Sequence, residues 1–141
     1  MRVFWDTNIL LDLVDRDRPD HPYANALLRW SGSKPVANLC AWHSLSILDY
    51  LVCKKFGRKD TNEILREILQ VFAIPSTGTQ EAKDALIYNN EDFEDAMQIS
   101  SAILGRADFI ITRDVSGFHK SPIPVIPIDQ FLTRYTQSEN S

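Results

Sequence analysis

Cysteine is almost missing from this chain, and with it the means to build a thiolate zinc site. Among 141 residues only Cys40 and Cys53 carry thiols, without CxxC spacing and without a second Cys/His pair. Both are expected to pack as small buried hydrophobes. No apolar run approaches the roughly 20 residues that cross a bilayer, so no membrane-spanning helix is expected. The opening residues MRVFWDTN hold a carboxylate at position 6 and lack the long apolar core of an export signal, from which a cytoplasmic location follows as the expectation. Excess positive charge is absent too: the net charge is −4 and the pI near 5.3, which argues against tight nonspecific DNA binding. Repeats, low-complexity blocks and linkers are also lacking.

What is present is ordinary globular material, 44% hydrophobic and 24% charged. One domain is expected over residues 1–136, with a frayed tail over 137–141. Short apolar runs at 3–5, 35–40, 71–74, 108–112 and 124–128 read as strands, the last flanked by prolines and suited to a sheet edge. Between them, helical spacing covers 9–15, 21–30, 42–56, 60–70, 79–88 and 92–106, with a turn at Asn89-Asn90-Glu91 and a short last helix capped by Asp129. Strand and helix alternate, which predicts the α/β class: a three-layer α/β/α sandwich around a mostly parallel sheet of about five strands.

In such a sheet, ligands gather beyond the carboxyl ends of strands, where the strand order reverses. The first strand ends at Asp6 and the fourth at Thr112-Arg113-Asp114. An order of 3-2-1-4-5 makes these ends neighbours, so Asp6 and Asp114 converge. In DFEDAMQISSAIL, Asp95 shares a stripe with Ile99 and Ala102 and points inward. Asp92 fits the cap of that helix, while Glu94, Gln98 and Ser101 fall on the side expected to face solvent. Asp49 interrupts the apolar stripe of 42–56, either as a further ligand or as an acid paired with a nearby cation. Like charges held together call for a counter-ion, and an all-oxygen set suits Mg²⁺ or Mn²⁺. Thr7 and Asn8 either contact substrate and water or simply cap a helix, and Thr112 has the same ambiguity. Arg113 is a candidate for offsetting phosphate charge. Lys54, Lys55 and Arg58, at the end of the 42–56 helix, form either a phosphate-contacting rim or a solvated helix end.

VFWDTNILLD, NNEDFEDAMQISSA and ADFIITRDVSGF resemble the three motif blocks of PIN-domain ribonucleases, and the likeness spans essentially the whole chain. The resemblance implies hydrolysis of RNA with Mg²⁺ or Mn²⁺ held by acidic residues. It makes Asp6 the first family acid, Asp95 the third, and Asp114 the residue after the Thr-Arg pair. Many small bacterial members are VapC-like toxins, which implies a cognate antitoxin and a homodimer. Two departures stand out. The family Glu expected near Ser46 is missing, leaving Asp49 one turn later, and Gly117 occupies the place of a further Asp. A PIN-like module that binds RNA or protein without cutting is therefore the alternative. An aspartyl-phosphate enzyme fits less well, since Asn8 stands where a second Asp is wanted. Tyr23, Leu27, Trp30, Trp42 and Leu51 are expected mainly in the core, or else on a dimer or antitoxin surface.

Overall fold

The computed structural model describes residues 1–88 and 91–137. The Asn89-Asn90 part of the expected turn and residues 138–141 of the expected tail lie outside these. Gln137 closes the last helix instead of opening the tail.

RVFW forms the central strand β1 (Arg2–Trp5), which is buried on both faces as a parallel strand between two helix layers must be. The chain then runs α1 (Thr7–Val14), α2 (His21–Gly32), β2 (Ala37–Leu39), α3 (Trp42–Phe56), α4 (Arg58–Val71), β3 (Phe72–Ala73), α5 (Thr79–Tyr88), α6 (Phe93–Leu104), β4 (Phe109–Thr112), a 3-10 turn (Val115–Phe118), β5 (Val125–Pro127) and α7 (Ile128–Gln137). The strands are all parallel and lie in the order β3-β2-β1-β4-β5, as the alternation predicts. Strand order reverses between β1 and β4, and the proline-flanked β5 takes an edge.

Side chains of β1 alternate between two cores. Val3 and Trp5 join Ile9, Leu10, Leu27, Leu48, Ile68 and Phe131 on one side, while Phe4 joins Leu39, Ile99 and Ala102 on the other. Hence α6 covers one face and α1 to α4 with α7 cover the opposite one. Trp5 is held on both counts that an indole requires: its ring meets Phe72 edge-on at 5.0 Å, and its Nε1–H donates to Asn38 Oδ1 at 2.9 Å.

Burial corrects part of the expected core. Leu27 is fully buried and Trp30 half-buried, but Tyr23, Trp42 and Leu51 are exposed. Helical spacing placed them near the packed stripe, and the neighbouring helices leave that flank of α2 and α3 uncovered. The thiols follow expectation more closely. Cys40 is buried and its pKa is pushed up to about 12 by desolvation, while Cys53 is half-buried.

Candidate metal centre

Trp5 lies opposite Ile111, so the next pair along the parallel ladder is Asp6 and Thr112. The Asp6 amide still donates to the Ile111 carbonyl at 3.0 Å, which carries strand geometry up to the acid itself. Asp6 then serves as the N-terminal boundary of α1, yet its carboxylate makes no capping bond. It turns instead toward the sheet's switch point, where Thr112 Oγ1 donates to Oδ2 at 2.7 Å and Gln98 Nε2 donates to Oδ1 at 3.0 Å. Burial raises the Asp6 pKa, and these two donors only partly oppose it.

From α6 come two more carboxylates. Asp6, Glu94 and Asp95 each place an oxygen within 4.8 Å of the others. Burial pushes Asp95 up to about 7, aided by the charges of Asp92, Glu94 and Asp6. Asp92 caps α6 as expected, accepting the Asp95 amide at 3.0 Å. Gly117, in the 3-10 turn, lies so close that a Cβ there would overlap Asp95 Oδ2 and sit 2.9 Å from its Cγ. The cluster opens into a cleft of about 530 Å³ whose walls include Asp6, Asn8, Asp92, Asp95, Asp114 and Lys120.

Glu94 and Gln98 correct the sequence reading, which assigned them to solvent with Ser101. Gln98 and Ser101 are buried, and Glu94 is only half-exposed. Because α6 is built of small residues such as Ala96, Ser100, Ser101 and Ala102, it packs closely along more than one stripe, and a one-face reading of its periodicity fails. Gln98 is the hub. Its Oε1 accepts the Thr7 amide at 3.0 Å, and its Nε2 reaches Glu94 Oε2 at 2.8 Å as well as Asp6. His43 Nε2 lies 2.8 Å from the same Glu94 oxygen, which leaves the other oxygen uncommitted to these donors. A polar residue four positions beyond an acid, inside a helix of small residues, was the available signal for Gln98. Nothing local in the sequence marks His43.

Asp114 reaches the cleft but not the three-carboxylate group. It accepts the Ser116 amide at 2.9 Å, which holds its pKa below the usual carboxylate range. Asn8 is exposed in the cleft. Thr7 is not available to substrate, because its buried hydroxyl pairs with Ser44 Oγ at 2.7 Å. Thr112 is likewise committed, to Asp6. Asp49 departs from the cluster altogether. It forms a two-point ion pair with Arg58, and this lowers its pKa. Arg113 lies beside Asp114 in sequence, yet its Nε is 3.0 Å from buried Asp12 and its Nη1 3.1 Å from Asp20, so it leaves the cleft.

Two of the three cations of the expected basic rim, Lys55 and Arg58, are paired with carboxylates in the same way. Lys55 bridges Asp15 and Asp17 at 2.7 and 2.8 Å, Arg58 is taken by Asp49, and Lys54 Nζ sits 4.1 Å over the Tyr50 ring. In their place His119 and Lys120 line the cleft.

The PIN domain family model matches residues 2–116. The chain belongs to the PIN domain family. Ribonuclease VapC1 of Aquifex aeolicus (strain VF5) is 25% identical over 139 residues, which are 95% of each chain. A toxin–antitoxin complex from Klebsiella pneumoniae contains a chain of the same fold, with a TM-score of 0.66 and 25% identity over 89% of this chain and 97% of that one. The Mycobacterium tuberculosis Sarcin-Ricin loop cleaving toxin VapC20 superposes with a TM-score of 0.65 at 18% identity, covering 82% and 92%. As a PIN domain, the chain is expected to hold a divalent cation, and its donor set fits one: carboxylate oxygens alone, crowded enough to keep one proton near neutral pH.

That crowding has a measurable consequence. A carboxyl raised to about 7 binds its proton in the folded state while the unfolded chain, near 3.8, has lost it. The folded state therefore holds more protons between these limits, and stability must fall as pH rises through this window. In chelator, the melting temperature is expected to decline from pH 4.5 to 7.5. Asp95→Asn should flatten the decline, and Mn²⁺ should restore the wild-type melting temperature at pH 7.5 more than at pH 5, where protons compete for the site. A wild-type profile parallel to that of Asp95→Asn would contradict this account.

Proposed function

We propose that this PIN domain is a metal-dependent endoribonuclease and the toxin half of a toxin–antitoxin pair. The reading rests chiefly on the convergence of Asp6, Glu94 and Asp95, two of which, Asp6 and Asp95, line a cleft with His119 and Lys120. The Aquifex relative named as a ribonuclease and the Klebsiella complex support it. Asp6 and Asp95 would hold Mg²⁺ or Mn²⁺ with one oxygen of Glu94, and Asp114 would face the substrate side. A cation bound there supplies Lewis-acid polarisation of a phosphodiester and activation of water. The chain's own contribution is orientation: Thr112 and Gln98 fix the Asp6 carboxylate, and Gln98 and His43 hold Glu94 by one oxygen. Lys120 offers a cation to the polymer backbone beside the scissile phosphate.

Partners follow from the same reading. An antitoxin segment is the occupant we assign to a recess of about 630 Å³ walled by Leu13, His21, Leu28, Ile64, Ile68 and Phe72, which holds none of the clustered acids. A homodimer and a cytoplasmic location complete the proposal. No helix among the described residues is long and apolar enough to cross a membrane.

The test is cleavage of a mixed-sequence RNA by antitoxin-free protein in Mg²⁺, Mn²⁺ or chelator. Wild type should cut only with metal. Asp6→Asn and Asp95→Asn should each fall below about one-hundredth of wild type, since even the outer partners of a metal ligand are worth 10–100-fold. Metal-independent cutting, or full activity in both variants, would refute the assignment. Binding without cutting in any metal would favour the non-cleaving module.

A further inference from the structure

Separate from the cleft that Lys120 lines is a second recess. Trp42, the first residue of α3, is 70% exposed, whereas Trp5 is fully buried and Trp30 half-buried. Its indole borders a hollow of about 200 Å³, with Ala82 and Met97 completing an apolar wall and Thr77 and Glu81 supplying a polar rim. His43 lines this hollow as well, and its Nε2 is 2.8 Å from Glu94 Oε2. His43 thus links the hollow to the acid cluster.

Strand register explains why they are adjacent. Phe4 lies beside Leu39, so β1 runs one residue past β2, and Asp6 and Trp42 emerge at the same end of the sheet. The Thr7–Ser44 hydroxyl contact at 2.7 Å then ties the first turns of α1 and α3 together. The helix turn that carries Trp42 is therefore anchored beside the strand end that carries Asp6.

We propose that this hollow seats an unpaired nucleobase of the RNA, stacked on Trp42, next to the phosphate that lies over Asp6, Glu94 and Asp95. The inference rests on the ribonuclease reading and adds to it a specificity-determining contact: a base-stacking face on Trp42, outside the acid cluster. A chain crossing the cluster has within its surroundings a cation, Lys120 on the cleft wall, and an indole, Trp42 on the hollow. The first suits phosphate, and the second suits the face of a base, which any base offers and only an unpaired one can present. A base held inside a duplex is already stacked on both faces.

The experiment uses short single-stranded RNAs carrying 2-aminopurine, with wild type, Trp42→Ala and Trp42→Phe in Mg²⁺. One stacked base is worth a fivefold to hundredfold change in affinity, roughly. Trp42→Ala should raise KM by about that factor with kcat within about threefold, the pattern of binding lost equally from ground and transition states. Trp42→Phe should recover most of it. Before cleavage, 2-aminopurine fluorescence at one position should drop on mixing with wild type and not with Trp42→Ala. The same sequence in a duplex should show no dependence on Trp42. An unchanged KM in Trp42→Ala, together with a raised KM in Lys120→Ala, would overturn the stacking site and leave the ribonuclease reading standing. An unchanged KM with a shift from dimer to monomer would overturn it too, by making Trp42 a contact between copies. Wild type that neither binds nor cuts RNA would remove both.

Discussion

Gly117→Ala should leave the protein folded and nearly inactive. The new methyl would overlap the outer end of the Asp95 carboxylate, with Cγ only 2.9 Å away. A carboxylate can rotate out of the way, so the stability cost should stay at about 1 kcal/mol, the low end for added bulk in a packed place. Its function cannot move so cheaply. Asp95 would leave the oxygen cluster it forms with Asp6 and Glu94, and a displacement of about 1 Å in a reacting constellation is enough to lose a hundredfold. We expect at least that loss in RNA cleavage, with Mn²⁺ affinity weakened by tenfold or more in roughly the range found for disturbed ligand shells. Gly117→Asp, which restores the family's acid at this place, should be no better, because the same Cβ is introduced. Calorimetric titration with Mn²⁺ beside a thermal melt would check both halves. Retained metal affinity in Gly117→Ala would show that the 3-10 turn can yield without moving Asp95.

Gln98→Leu should be the most destabilising conservative change in the site. Leucine matches the volume but removes the acceptor of the Thr7 amide and a donor to each of Asp6 and Glu94. Gln98 is fully buried, so water cannot replace those partners. Losing a donor to a buried carboxylate and orphaning a backbone N–H together cost about 3 kcal/mol or more. Urea unfolding in chelator should register that loss. Gln98→Glu would keep an acceptor for Thr7 but set a fourth carboxylate against Asp6 and Glu94, so its deficit should shrink on adding Mn²⁺, whereas that of the leucine variant should not. Equal behaviour of the two variants with and without metal would argue that Gln98 acts only as filler.

Asp6, Asp95 and the order of the sheet were legible because each depends on a short-range pattern: apolar run, acid, helical spacing, repeated in alternation. The parallel topology then did the long-range work of bringing Thr112 to Asp6. Glu94 and Gln98 were misassigned since their helix is buried along several stripes, and periodicity reports one. Asp49 was ambiguous for another reason. Its partner Arg58 reaches it only because Gly57, at φ 85°, turns the chain directly from α3 into α4, and a backbone reversal of that kind decides a contact without marking the acid itself. The same limit applies to the cations. Lys55, Arg58 and Arg113 look free in a sequence, and each is claimed by carboxylates that lie far from it in the chain or across a turn.

The place of β1 in the sheet has a consequence for synthesis. β1 is made first, yet one of its two neighbours is β4, and Asp6 waits for a Thr112 hydroxyl 106 positions later. Folding proceeds from the N-terminus as a chain leaves the ribosome. A nascent chain that stops short of β4 leaves one edge of β1 unpaired and Asp6 without its Thr112 hydroxyl. On the ribonuclease reading, the Asp6 end of the site is therefore completed only after β4 has left the ribosome.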